Sequence, residues 1–269
     1  MSFLLEYGDD YMEIKDKIIV VTGAASGIGR ALANRFNAEG AKQVVCVDLN
    51  IEGATETANG FSGVAMQADV SREEDIVRVI DTTESEVGPI DLFCSNAGVG
   101  LGMDLDSPNS EWQASWDINV MSHVYAARNL VPRMIERGGG YLMNTSSAAG
   151  LLNQIGGAAY GVTKHAAVGF GEWLALSHAH QGIKVSMLCP QAVRTAMTAT
   201  DNVSTQAAAN DGMMEPEELA EVVIVGLRNE SFLILPHPEV KEYMRRKTAD
   251  YDRWISGMNR LHLRLVGVA

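Results

Sequence analysis

The stretch from Lys17 to Gly40 constrains the fold of this 269-residue chain more than any other. The near-continuous apolar run from Lys17 to Thr22 has the length of a strand, and such runs are typical of strands covered on both faces, as in parallel sheets. A glycine-rich turn follows and leads into a helical segment, Arg30 to Glu39. The unpaired amides and the positive end of the helix dipole would face one point after the turn. The stretch therefore predicts a parallel sheet with a place for a pyrophosphate.

The glycines of this turn, Gly23, Gly27 and Gly29, are spaced as G-x-x-x-G-x-G, which differs from the G-x-G-x-x-G dinucleotide fingerprint. A turn that serves only tight packing of strand and helix is the alternative. The next predicted strand ends at Asp48, nineteen residues after Gly29. A carboxylate there can bind both hydroxyls of an adenosine ribose and would repel a 2′-phosphate, so it favours NAD over NADP.

Predicted strands and helices alternate along the rest of the chain without a break in composition. Further strands are predicted at 63–67, 90–94, 140–145, 183–189 and 232–235, and helices at 51–58, 72–86, 110–137, 157–180 and 216–229. The alternation predicts a single α/β domain, a Rossmann-like doubly wound parallel sheet of about seven strands flanked by helices. Ligands of such sheets bind beyond the carboxyl ends of the strands.

Composition argues against several classes of function. The net charge of −13 leaves no basic stripe for nucleic acid. Neither the three cysteines nor the scattered histidines have the spacing of a disulfide framework or a metal site, so no metal is expected. No apolar run approaches the ~18 residues that span a bilayer, and the acidic start lacks the basic region of a signal peptide. We therefore expect a cytoplasmic protein.

Tyr160 and Lys164 are four residues apart in the predicted helix 157–180, so they share one face. An ammonium group within a few ångströms favours the phenolate, and we expect it to lower the pKa of Tyr160 from its ordinary value of about 10. Such a pair alone is more often part of an ordinary helix surface. Its interpretation depends on the rest of the chain.

Five motifs in one order resemble the short-chain dehydrogenase/reductase family over residues 15–236. They are Thr22-Gly-Ala-Ala-Ser-Gly-Ile-Gly29, Asp69-Val70, Asn96-Ala-Gly98, the helix that carries Asn119, and Ser147 with Tyr160-x-x-x-Lys164. Each motif alone is weak, but the ordered set is highly specific. The resemblance implies an NAD-dependent oxidoreductase that interconverts a secondary alcohol and a ketone on a small apolar or aromatic substrate. An NADH-dependent ketone reductase and a non-catalytic dinucleotide-binding scaffold are the alternatives.

The resemblance also implies a role for each motif. Tyr160 would be the general acid or base, helped by Lys164, and Ser147, rather than Ser146, would bind the substrate oxygen. Asn119 would hold a water-linked proton path to the lysine, and an amide that satisfies a buried kink is a compatible alternative. The implied cofactor-binding residues are Gly23, Ser26, Gly27, Ile28, Gly29, Asp48, Leu49, Asp69, Val70, Asn96, Ala97, Gly98, Tyr160, Lys164, Val193 and Thr195.

Two positions depart from the usual pattern of the family. Ser95 stands where a second asparagine is common, and because serine can still hydrogen-bond, this departure puts little in doubt. Gln191 follows Pro190 where the family usually has glycine. The side chain of Gln191 would project near the substrate mouth, so we interpret it as substrate-shaping, with a neutral replacement as the alternative.

Three further expectations concern organisation. We predict a leader at 1–15, a core domain at 16–236 with a substrate loop at 196–215 that acts as a lid, and a C-terminal helical extension at 237–269. The apolar stripe of the extension predicts packing on a neighbouring subunit or over the active-site mouth. The resemblance implies a homodimer or homotetramer built on the helices of Asn119 and Tyr160, through the small residues Ala126, Ala127, Ala159, Ala166, Ala167 and Gly169.

Overall fold

The computed structural model describes residues 12–200 and 202–268, and at its centre is a sheet of seven parallel strands. The strands are β1 (Ile18–Thr22), β2 (Gln43–Asp48), β3 (Val64–Gln67), β4 (Leu92–Ser95), β5 (Gly140–Thr145), β6 (Ile183–Leu188) and β7 (Leu233–Ile234). Their order across the sheet is β3-β2-β1-β4-β5-β6-β7. This order reverses between β1 and β4, which opens a crevice beyond their carboxyl ends. The predicted Rossmann-like, doubly wound sheet is confirmed.

Helices cover both faces of the sheet. They are α1 (Gly27–Ala38), α2 (Ile51–Asn59), α3 (Glu73–Glu86), α4 (Asn109–Trp116), α5 (Ser122–Glu136), α6 (Ala149–Leu152), α7 (Ala158–His178), α8 (Val203–Ala208), α9 (Pro216–Arg228), α10 (Glu239–Ala249) and α11 (Tyr251–Leu265). Helices α1, α2 and α9 share one core with Ile19 and Val21, whereas α3, α5 and α7 share the other with Val20. Adjacent residues of a strand enter different cores, so the strands are apolar throughout.

The helix predicted over 110–137 consists of three segments. A π-helical turn, Asp117–Met121, separates α4 from α5, and Asn119 lies within it. A π turn adds one residue to a helical turn and is often found at functional sites. A hydrophobic period averaged over a long window does not detect that single insertion.

The apolar stripe of the C-terminal extension, predicted as one helix, is divided between α10 and α11 at Asp250. The backbone of Asp250 is extended (φ −156°, ψ 94°), and its side chain accepts a hydrogen bond from the backbone amide of Arg253 at 2.9 Å. Asp250 therefore caps α11. Helix α10 packs against α6, and α11 packs against α8. The extension therefore packs on its own chain, against two elements that lie next to the predicted active site.

Two other predicted segments differ from the structure. Residues 1–11 of the predicted leader lie outside the described residues, and Met12 and Ile14 are buried in a core, so these two pack with the domain. The predicted loop 196–215 contains α8 and two 3-10 turns, Ala196–Thr198 and Ala209–Asp211. These elements are too short to show a hydrophobic period. Among the residues that the structure describes, no helix is both long and apolar enough to cross a bilayer.

Candidate active site

A cleft of about 620 Å³ runs along the carboxyl edge of the sheet. All the predicted cofactor and substrate residues line it, whereas Asn119 lies outside its lining. The predicted residues in the lining are Gly23, Ser26, Gly27, Ile28, Gly29, Asp48, Leu49, Asp69, Val70, Asn96, Ala97, Gly98, Ser147, Tyr160, Lys164, Gln191, Val193 and Thr195. The topology thus brings distant motifs to one place, as expected at the reversal of strand order.

The glycine turn after β1 fits an anionic group. Gly23 has φ +71°, a conformation that favours glycine, and a Cβ on Gly29 would lie 2.0 Å from the carbonyl oxygen of Gly23. Helix α1 begins at Gly27, its N-cap residue Ser26 makes no side-chain capping bond, and its first turn contains no acidic residue. The first amides of α1 are therefore free to bind an anion such as the pyrophosphate of a dinucleotide.

Asp48 lies at the end of β2, beside this turn. Its Oδ2 accepts a hydrogen bond from the amide of Ala25, and its Oδ1 accepts one from the amide of Asn50, both at 3.0 Å. The guanidinium group of Arg30 reaches the same turn, donating to the carbonyl of Ala25 at 2.5 Å and to Thr57 Oγ1 at 3.1 Å. A carboxylate and a guanidinium group, which also pairs with Glu56 at 3.4 Å, thus lie on either side of Ala25.

Asn96 and Thr22 join neighbouring strands at the floor of the cleft. The amide Nδ2 of Asn96 donates to the carbonyl of Thr22 at 3.0 Å, and its Oδ1 accepts from Thr145 Oγ1 at 3.1 Å. Thr22 Oγ1 in turn accepts from the backbone amides of Asn96 and Ala97 at 2.9 and 3.1 Å. The sequence analysis missed Thr145, whose signal is its place at the end of β5.

Beneath this floor, several buried polar atoms have no partner in the described part of the chain: Ser95 Oγ, Asn144 Nδ2 and both ring nitrogens of His123. Ser95 and Asn144 are paired in register on β4 and β5. The hydroxyl of Ser95 therefore makes no hydrogen bond to the residues that the structure describes. Burial lowers the pKa of His123 to about 3, and the charge of Lys164 acts in the same direction.

Tyr160, Lys164 and Ser147 meet at the centre of the cleft. Lys164 is 3% exposed. Its ammonium group lies 5.6 Å from the ring centroid of Tyr160 and donates to the carbonyl of Thr145 at 3.1 Å. The hydroxyl of Ser147 donates to the carbonyl of Pro190 at 3.3 Å and accepts from the amide of Ala149 at 3.1 Å, and it acts to lower the pKa of Tyr160. Ser146 faces away from the phenol, because its hydroxyl donates to the carbonyl of Lys164 at 2.9 Å. Of the two serines, Ser147 is thus the one whose hydroxyl lies beside the phenol.

The pKa of Tyr160 shifts in the direction opposite to the prediction. Burial raises it above the ordinary value of 10.0, and the hydroxyl of Ser147 opposes this shift only in part. Lys164 does not overcome the effect of burial, since its ammonium group lies over the ring and its own pKa is lowered by burial to about 8. The predicted net lowering of the pKa of Tyr160 is therefore wrong, and with the groups of this chain alone around it, Tyr160 carries its proton at neutral pH.

Asn119 is fully buried, and all its side-chain contacts tie the π turn to neighbouring segments. Its Oδ1 accepts from the amide of Val99 at 2.9 Å, and its Nδ2 donates to the carbonyl of Val99 at 2.9 Å and to Thr163 Oγ1 at 3.1 Å. A Cβ on Gly98 would lie 3.2 Å from Asn119 Oδ1 and 3.3 Å from Lys164 Nζ. Asn119 therefore holds the loop after β4 beside the lysine.

Gln191 and His237 organise the loop after β6. The amide of Gln191 donates to His237 Nδ1 at 3.1 Å, and His237 Nε2 lies 3.2 Å from the carbonyl of Ala192. Because Nδ1 accepts, the ring proton is on Nε2, which then donates to Ala192. The side chain of Gln191 donates to Asp211 Oδ2 at 3.0 Å. His237 was missed by the sequence analysis, and its signal is its place between two prolines at the start of the extension.

The strand order and the meeting of Ser147, Tyr160 and Lys164 in one cleft match the outcome of comparison with known proteins. The family model described as short chain dehydrogenase matches residues 17–206. This chain belongs to the short-chain dehydrogenase/reductase family. One relative within it is 1-deoxy-11-beta-hydroxypentalenate dehydrogenase of Streptomyces exfoliatus, 34% identical over 253 residues that cover 91% of this chain and 92% of the relative. Another is epidermal retinol dehydrogenase 2 of Mus musculus, 32% identical over 234 residues, with 83% and 75% covered.

A solved structure agrees with this assignment. A short-chain dehydrogenase/reductase from Burkholderia phymatum, in complex with NAD, superimposes with a TM-score of 0.82 at 26% identity, covering 90% of this chain and 96% of that one. As a member of the short-chain dehydrogenase/reductase family, the chain is an oxidoreductase that acts on CH–OH groups and takes small-molecule substrates. Within residues 12–200 and 202–268, this family member has no group of three or more His, Cys, Asp or Glu placed to hold a metal ion.

Proposed function

We propose that this protein is an NAD-dependent dehydrogenase that oxidises a secondary alcohol to a ketone on a small apolar substrate. The observation that carries the proposal is the meeting of Ser147, Tyr160 and Lys164 in a cleft whose other end contains the carboxylate of Asp48. The named activities of the two relatives are dehydrogenations, which supports oxidation as the direction. A non-catalytic scaffold has no physical need for this arrangement.

Each residue of the cleft has a separate role in the proposed reaction. Ser147 donates a hydrogen bond to the alcohol oxygen, and Tyr160 removes the proton of that oxygen as general base. Lys164, through its positive charge, stabilises the tyrosinate that Tyr160 must form, and Asn119 keeps the neighbouring loop in place. When bound, NAD supplies the chemistry of hydride acceptance.

NAD is the cofactor that the residues fit. The free amides at the start of α1 would hold its pyrophosphate, and Asp48 would bind the hydroxyls of its adenosine ribose. Asp69 and Val70 would surround the adenine, and Val193 and Thr195 would hold the carboxamide of the nicotinamide. A 2′-phosphate would meet the negative charge of Asp48, which favours NAD over NADP.

The test is a screen for NADH formation over steroidal, aryl, cyclic and aliphatic secondary alcohols, with Tyr160→Phe as the matched control. Tyr160→Phe keeps the ring and removes only the hydroxyl, so we expect kcat to fall by at least about 10³-fold with little change in NAD affinity. An unchanged rate in Tyr160→Phe for the best alcohol would remove the assignment of the general base.

Ketone reduction by NADH is the second candidate, and one observation favours it. Burial raises the pKa of Tyr160, so at neutral pH the phenol is protonated and ready to donate to a carbonyl oxygen. Comparison of kcat/KM in both directions, at pH 7 and pH 9, separates the candidates. Oxidation needs the deprotonated phenol, so its kcat/KM should increase from pH 7 to pH 9. Reduction needs the protonated phenol, so its kcat/KM should decrease.

We further propose a cytoplasmic homodimer or homotetramer. Helix α7 supports this, because Val162, Trp173 and Leu176 on one of its faces are 50, 55 and 85% exposed. An apolar face of this kind on a helix is typical of a subunit interface.

A further inference from the structure

Helix α10 of the C-terminal extension contacts both sides of the substrate end of the cleft. It begins two residues after His237, whose ring bonds the backbone of Gln191 and Ala192. It also packs against α6, which begins two residues after Ser147. The helix therefore lies between the loop after β6 and the segment that follows the serine.

Lys247 makes the contact on the serine side. It is 8% exposed, its ammonium group donates to the carbonyl of Leu151 at 2.7 Å, and it lies 5.4 Å from the ring centroid of Tyr251. A buried ammonium is costly unless it is hydrogen-bonded, so this contact fixes its position. Leu151 belongs to the single turn of α6, and the amide of Ala149 at the start of that turn donates to Ser147 Oγ at 3.1 Å. Lys247 thus holds one end of a short helix whose other end holds the hydroxyl of Ser147.

Tyr243 makes the contact on the lid side. It lies one helical turn before Lys247, on the same face of α10. Its hydroxyl is 3.0 Å from both carboxylate oxygens of Asp211, at the end of the lid, and Asp211 Oδ2 also accepts from the side chain of Gln191 at 3.0 Å. An ionised carboxylate can only accept, so the amide nitrogen of Gln191 must face it. The orientation of Gln191 in the cleft wall therefore depends on Asp211 and, through it, on Tyr243.

One buried atom disfavours this closed arrangement. The side-chain carbonyl oxygen of Gln191 is buried and has no hydrogen-bond partner among the residues described. Opening of the lid would return that oxygen to water, which offsets the loss of the bond between Gln191 and Asp211. A second bond to Asp211, from Tyr243, counteracts this tendency.

We propose that α10 is a working part of the substrate site, with Lys247 as a positioning residue for Ser147 and Tyr243 as a positioning residue for Gln191 and the lid. The inference rests on the proposed function, and neither side chain touches the reacting atoms. It assigns the two contacts different kinetic effects. Lys247 acts on kcat, because it orients the hydroxyl that binds the substrate oxygen, and Tyr243 acts on KM, because it holds the lid over bound substrate.

The experiment compares Lys247→Met and Tyr243→Phe with Lys241→Met, an exposed lysine on the same helix. Each of the two test variants removes a donor and keeps the apolar part of the side chain. With the best alcohol of the screen, we expect Lys247→Met to lower kcat about tenfold with little change in KM, and Tyr243→Phe to raise KM about fivefold with little change in kcat. Lys241→Met should match the wild type. Wild-type kcat and KM in both test variants would overturn the proposal, as would equal effects in Lys241→Met.

A second readout does not depend on activity. Hydrogen exchange of the backbone amides should become faster at 148–153 in Lys247→Met and at 203–212 in Tyr243→Phe, and at neither segment in Lys241→Met. If the wild type oxidised no alcohol and reduced no ketone, the proposed function would fail, and these exchange rates would still decide whether α10 positions the two segments. Unchanged exchange in both test variants would reduce α10 to a packing element. Should Lys247→Met not fold, Tyr243→Phe, with its partially exposed site, decides alone.

Discussion

Asp48 and Arg30 place two opposite charges beside the proposed site of the adenosine ribose. Both bond to Ala25. The carboxylate of Asp48 accepts from the backbone amide of Ala25, and the guanidinium group of Arg30 donates to the carbonyl of Ala25. We predict that Asp48→Ser removes the repulsion of a 2′-phosphate and leaves Arg30 as its partner, so that the ratio of kcat/KM for NAD to that for NADP falls at least tenfold. Asp48→Glu, which keeps the charge, is the control. An unchanged ratio in Asp48→Ser would show that another group selects the cofactor.

His123 makes the stability of the protein depend on acid. Its folded-state pKa is about 3, against 6.5 ordinarily, so between these values the unfolded chain binds more protons than the folded one. The contribution of His123 to the free energy of unfolding is therefore fully present above pH 6.5. It is lost as the pH falls, by up to about 1.4 kcal/mol per pH unit. We expect His123→Leu to flatten the dependence of the free energy of unfolding on pH between 4 and 6.5, measured by urea titration. Equal slopes in the two proteins would contradict this.

At the scale of single residues, the sequence predicted the positions of the site residues better than their ionisation states. The resemblance to the short-chain dehydrogenase/reductase family identified Ser147, Tyr160 and Lys164, and the structure brings the three into one cleft. The sign of the pKa shift of Tyr160 was not predictable, since it depends on the depth of burial and on where the ammonium lies relative to the hydroxyl. His237 was missed because its two bonds are to the backbone of a segment 45 residues away.

The π turn that carries Asn119 is stabilised as an element by one side chain. Replacement of Asn119 by alanine would remove its bonds to Val99 and Thr163 and leave the amide and carbonyl of Val99 without those partners. We predict a loss of about 3 kcal/mol in the free energy of unfolding, together with a lower kcat, measured by denaturant titration and by NADH formation. A lower kcat at unchanged stability would instead assign Asn119 to the proton path alone.

Long elements were predicted well and short or interrupted ones were not. β2 and β5 have the predicted bounds, because both are apolar runs closed by turn residues. Helix α8 has six residues, too few for a period, and Asp250 interrupts an apolar stripe that continues on both sides of it. A break of this kind depends on a capping bond, which hydrophobic spacing does not encode.

Four of the six small residues predicted for the subunit interface need a correction at the scale of the whole molecule. Ala126, Ala127, Ala159 and Ala167 are at most 5% exposed within their own chain, so they are not available to a second subunit. The exposed face of α7 instead presents Gly169, where an added Cβ would contact nothing within 4 Å. The exposed surface of α7 is therefore formed by Gly169 together with the larger apolar residues Val162, Trp173 and Leu176.

We predict that Leu176→Glu and Trp173→Glu each lower the oligomeric state, because a charge on this apolar face would be buried without a partner. Light scattering after size-exclusion chromatography measures the mass. Leu105→Glu is the matched control, since Leu105 is 90% exposed and lies outside α7. An oligomer that survives both α7 changes would place the interface on another surface.

The residues that line the cleft described above run from Gly23 to Ala208, and Lys247 of α10 donates to the carbonyl of Leu151 beside it. A chain shortened to residue 206, the boundary of the family match, would keep nearly all of the lining and lose α10. If α10 positions the substrate site as proposed, the shortened chain would bind the dinucleotide and turn over substrate poorly. Turnover would then report on a helix that lies outside the family match.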